Sequence, residues 1–135
     1  MVFVHGDIAP SVEEWDACTA AFHAHPDLQR VCILVYTEGA APNAKQRAQL
    51  NEALQNAKPR IAILTPSSFA RAAATALSWF NPRMRVFEPA AIESAFDHLD
   101  ANADERFQLR VLLRELQYEL RRASSAPPGV TKASG

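Results

Sequence analysis

Four short constellations in this chain carry side chains that could do chemistry. Thr65-Pro66-Ser67-Ser68 stands where the apolar run Ile61–Leu64 gives way to a small-residue helical stretch. Free backbone N–H groups and the dipole make a helix N-terminus an anion site, and a hydroxyl there could hold or receive a phosphate. The simpler assignment is structural: Thr65 or Ser67 caps the helix and Pro66 fills its first turn. A glycine-rich phosphate loop is excluded, because the four glycines, Gly6, Gly39, Gly129 and Gly135, stand alone. His5-Gly6-Asp7 could be an acid/base pair at the carboxyl end of a strand. No nucleophile motif adjoins it, and a strand-end turn is the expectation. His23 and His25 fall at a helix end, where imidazolium interacts favourably with the dipole, and Asp97 and His98 read as helix-surface residues. Cys18 and Cys32 fall on apolar faces and read as reduced core thiols of a cytoplasmic protein. Neither has metal-ligand spacing with a partner, so no metal and no cofactor is expected.

The elements that must position these groups alternate. Val2-Phe3-Val4 reads as a strand ending at Gly6-Asp7, and Ser11 with Glu14 forms an S-x-x-E capping box behind Pro10. Val12, Trp15, Cys18, Thr19 and Phe22 make a helical stripe that stops at His25-Pro26. Val31–Tyr36 is continuously apolar, the pattern of a parallel strand buried on both faces. The loop Thr37–Asn43 leads to a helix with Leu50, Ala53, Leu54 and Ala57 on one face, ended by Lys58-Pro59. Arg60–Leu64 is a third strand. Phe69, Ala72, Ala73, Ala76, Leu77 and Phe80 define a third helical stripe, closed by Asn81-Pro82. Met84–Phe87 is a fourth strand, and Ile92, Ala95, Phe96 and Leu99 mark a helix opened by Glu88-Pro89. Such β-α alternation implies a mostly parallel sheet with right-handed crossovers.

A further helix starts at Asp104 behind an Asn102-x-x-Glu105 cap. Leu109, Leu112, Leu113, Leu116 and Leu120 form its apolar seam, while Arg106, Arg110, Arg114 and Arg121 recur on another face that reads as solvated. The seam must dock on its own domain or meet another chain, and a homodimer through Leu109, Leu112, Leu116 and Leu120 is one outcome. Residues 123–135 are small, polar and proline-bearing, the composition of a disordered tail. The resulting division is 1–101 for the α/β domain, 102–122 for the amphipathic helix and 123–135 for the tail. With 48% hydrophobic residues, 21% charged residues and a net charge of −1, no broad field attracts nucleic acid. No apolar run reaches the roughly 20 residues of a membrane span, and the first residues lack a signal-peptide pattern.

A receiver-type phosphorylation domain shares the alternation but needs an aspartate after the central strand. Here Val35-Tyr36-Thr37-Glu38 follows instead, and Asp7 stands alone. The chain resembles a STAS domain, the fold of bacterial anti-sigma factor antagonists. The resemblance rests on Val2–Asp7, Val31–Tyr36, Arg60–Phe69 and Met84–Leu99, and covers about residues 1–100. It implies a STAS-like α/β fold, a mostly parallel four-stranded sheet with helices, to which this chain adds a C-terminal amphipathic helix. It also implies a non-enzymatic, regulatory protein-interaction module whose partner surface is the loop and helix start bearing Thr37, Glu38, Asn43, Lys45 and Arg47. Such antagonists carry a phosphorylatable serine after the central strand. Gly39–Ala44 has no hydroxyl, so that switch is not expected. The alternative is a domain binding a small anion or lipid-like ligand at the carboxyl ends of the strands, with Asp7, Thr65, Ser67 and Ser68 as its polar groups.

Overall fold

The computed structural model describes residues 1–8, 10–40, 42–66, 68, 71, 72, 75 and 81–124. Four parallel strands, β1 (Val2–His5), β2 (Cys32–Thr37), β3 (Arg60–Leu64) and β4 (Met84–Phe87), form a sheet in the order β1-β2-β3-β4. Each strand therefore pairs with the one made just before it. The register sets Phe3, Val35, Ile63 and Val86 in one row, and Val4, Tyr36, Leu64 and Phe87 in the next. Because side chains alternate across a strand, these rows face opposite sides, and each side builds its own core.

Helices α1 (Val12–His23) and α2 (Ala44–Leu54) cover the first side. Crossovers of one hand between sequential parallel strands leave their helices on one face, and here Phe22, Ala53 and Leu54 pack with Ile33, Ile61 and Met84. Helices α3 (Ile92–Leu99) and α4 (Ala103–Ser124) cover the second side. Phe96, Ala95, Leu99 and Leu113 pack there on Leu34, Ala62 and Leu64. Phe96 is fully buried, and the small Ala62 at mid-sheet lets α3 lie close over β3. A buried Asn81 fixes the start of β4 beside that of β3: its Nδ2 donates to the Pro59 carbonyl and its Oδ1 accepts from the Arg83 amide.

Both predicted capping boxes form, Ser11 with Glu14 and Asn102 with Glu105. Several expectations need correction. Helix α2 ends at Leu54, and Ala57 lies beyond it, because Gln55 and Asn56 take left-handed conformations. Val12, the first residue of α1, is exposed, and the buried face of that helix is carried by Trp15 and Phe22. Cys32 is exposed rather than in the core: it opens β2 on the second side, with Sγ 3.4 Å from the Leu99 carbonyl oxygen. The third stripe, except for Ala72, and the tail beyond Ser124 lie outside the described residues.

Helix α4 packs on the same sheet, against β1. Leu113 is buried, Leu109 joins the second core, and Leu120 approaches the bare Cα side of Gly6. Its arginine face is not simply solvated. Arg106 pairs with Glu93 (2.8 Å) and Asp97 (2.7 Å), Arg110 pairs with Glu93, and both guanidiniums lie over the Phe96 ring. Those hydrogen bonds hold the Glu93 carboxyl below the usual carboxylate range. His98 is likewise no plain surface group: its Nε2 lies 2.8 Å from the Arg83 carbonyl oxygen and its ring meets Phe87.

Candidate functional site

The carboxyl ends of β1 and β2 lead into a loop whose polar groups are almost all engaged with one another. Past β2 the Glu38 and Ala40 amides donate to the His5 and Gly6 carbonyls, which lash the loop to the end of β1. Thr37 is buried, and its Oγ1 donates to the Ala40 carbonyl (2.9 Å) and accepts from the Gly39 amide (3.2 Å). Gly39 takes a φ of 139°, a conformation a side chain would strain. Asn43 then caps α2: its Oδ1 accepts from the Gln46 amide, and the Gln46 side chain accepts from the Asn43 amide. This is an N-x-x-Q capping box, the same pattern as Ser11-x-x-Glu14. The sequence reading puts Asn43 on the loop surface, whereas the structure makes it the N-cap of α2.

Gln46 joins α1 to α2. Besides its capping bond, its Nε2 donates to the Pro10 carbonyl (3.1 Å), and its own carbonyl accepts from Trp15 Nε1 (3.1 Å). Periodicity marks neither contact, because they join residues 31 and 36 positions apart. Arg47 donates to the Pro42 carbonyl at 3.0 Å. The five residues of the expected partner surface thus separate into two kinds. Thr37, Asn43 and Arg47 place hydrogen bonds within the loop itself, Thr37 buried and the other two exposed, whereas Glu38 and Lys45 are exposed with side chains outside that loop network. Together they form a braced, polar platform with one acid, Glu38, and two bases, Lys45 and Arg47, presented outward.

Beneath the platform, between the sheet and helices α1 and α2, lies a cavity of about 110 Å³. Among the described residues its lining is apolar, with Phe3, Trp15, Val35, Ile63 and Leu50 typical of it, and includes no basic side chain other than His5. The polar atoms of Thr37 and Trp15 at its wall are already bonded. Burial lowers the His5 imidazole below its ordinary value, and the Glu14 carboxylate opposes that shift. Burial pushes the Cys18 thiol, also on the wall, up to about 11.

The polar groups expected at a ligand site are dispersed. Asp7 is exposed and lines an open hollow along β1 with Glu14 and Ser11. Thr65, two strands away, is fully buried at the end of β3. Ser68 is exposed, and its Oγ accepts from Arg71, which pairs with Glu88 at 2.7 Å. Ser67 lies outside the described residues. Among the described residues no group of three or more His, Cys, Asp or Glu side chains could hold a metal ion, and no helix is long and apolar enough to cross a membrane. Comparison with protein-family models, with curated proteins and with solved structures returns no match.

Proposed function

We propose that the chain is a STAS-like, non-enzymatic regulatory module that binds a protein partner through the platform of Glu38, Asn43, Lys45 and Arg47. The observation that carries this reading is the bracing of the platform. A loop whose amides, hydroxyl and caps are already bonded loses little conformational entropy on binding, which raises the affinity its exposed groups can deliver. The four parallel strands agree with the STAS resemblance of residues 1–100. Several acids and imidazoles near the strand ends have structural duties: Glu14 closes a capping box, His25 accepts from the Asp27 amide, and His98 meets the Arg83 carbonyl. A homodimer would use the outer side of α4, where Phe107, Val111, Leu112 and Tyr118 are exposed, because Leu109, Leu116 and Leu120 turn towards the body.

Affinity purification with mass spectrometry tests the reading, with wild-type chain compared against the Glu38→Lys, Lys45→Glu double variant. The wild type is expected to retain one specific partner that the charge-reversed protein, equally folded, loses. Equal capture by both, or a robust turnover with no specific partner, overturns it. A second reading, a small-ligand domain at the strand ends, draws its support from the cavity. The apolar lining favours a lipid-like ligand over an anion.

A further inference from the structure

The cavity and the hollow along β1 share three wall residues, Phe3, His5 and Cys18. The hollow, about 670 Å³ and open, lies outside the edge strand; the cavity lies inside it. These three side chains therefore form the partition between solvent and the interior. His5 is its polar member. Its ring stands 6.4 Å from that of Trp15, and among the described residues its nitrogens have no hydrogen-bond partner. The cavity wall is almost wholly apolar, and apolar cavities take up apolar molecules: an engineered one of roughly 150 Å³ admits benzene.

We propose that this cavity binds a small, uncharged, chiefly apolar molecule whose single hydrogen-bonding group pairs with the imidazole of His5. The volume, smaller than that of the engineered cavity, limits the ligand to about four or five heavy atoms. The absence of any charged side chain other than His5 from the described lining rejects ions, since an unpaired charge there would be desolvated without compensation. The inference rests on the small-ligand reading and is independent of partner binding at the platform.

Isopropanol and isopropyl chloride, similar in shape and differing in the hydroxyl, provide the test. Binding is followed by calorimetry and by the His5 imidazole resonances, on wild type, on His5→Phe and on Cys18→Phe, whose ring fills the void. In a Cys32→Ser background, protection of Cys18 from alkylation gives a second readout that needs no cavity-filling variant. Isopropanol is expected to bind wild type about tenfold more tightly than isopropyl chloride, the ratio that one net hydrogen bond supports. His5→Phe should bind both equally, and Cys18→Phe neither. If both probes bind wild type equally and the His5 resonances do not move, the pairing is wrong while the small-ligand reading stands. If neither probe binds or protects Cys18, both fall.

Discussion

His5 is the residue at which fold and site meet. It ends β1, its carbonyl receives the Glu38 amide, and its ring faces the cavity wall. Burial lowers its folded value below the ordinary 6.5. Between the folded and unfolded values the unfolded chain binds more protons, so stability rises with pH across that interval. The contribution is complete above 6.5 and is lost as pH falls through the native value. Urea unfolding between about pH 5 and 7.5 should therefore show a decline in stability on the acid side that is shallower in His5→Gln. Glu14 and Asp7, which share its hollow, stay in place in that variant, so the difference isolates the imidazole. The sequence suggests a strand-end turn at His5-Gly6-Asp7, but His5 is the last paired residue of β1, opposite Thr37, and the bend begins only at Asp7. The sequence could not place the ring, because the wall it completes is built from Trp15, Cys18 and Ile63 on other elements.

Elements explain what was legible and what was not. The strands, α1, α3 and the start of α4 follow from local signals: apolar runs, proline stops and two capping boxes. The end of α2 does not, because Gln55 and Asn56 in left-handed conformations carry no glycine to announce them. Nor do the pairs of Arg106 and Arg110 with Glu93 and Asp97, which join two helices rather than one face of one helix. Gln46 is the most consequential of these hidden contacts. Gln46→Ala removes a capping acceptor and the bond to Pro10, and so loosens the junction of α1, α2 and the loop. Chemical denaturation should record a loss of about 1–3 kcal/mol. Gln46→Glu, which keeps the capping acceptor but not the donor to Pro10, should lose less.

At the scale of the whole molecule, one sheet supports two separate cores. The first contains the cavity, while the second is closed by a fully buried Phe96 seated over Ala62 and Leu64. Phe96→Ala would leave a void beneath α3 and remove the ring on which Arg106 and Arg110 rest. A loss of about 3–5 kcal/mol is expected from equilibrium unfolding. The proposed partner platform lies on the other side, so any partner captured should still be bound by the folded fraction. The α/β class and the parallel pairing could be anticipated because they depend on the order of apolar segments. The unequal packing of the two sides could not, because it depends on the shapes of side chains brought together across the sheet.

The contact of α4 with β1 has a bearing on how the chain reaches this state. Strand order follows synthesis order, so each new strand pairs with its predecessor across a single crossover, and no closure spans more than one such connection. The packing of Leu113 and Leu120 near residues 2–6 spans nearly the whole described chain. Until α4 has been made, Val4 and Tyr36 lack part of their cover and the β1 edge stands beside a bare apolar surface. For that interval the nascent domain is a target for chaperones and for pairing with its own kind. The late helix thus ends an exposure that the early strands create.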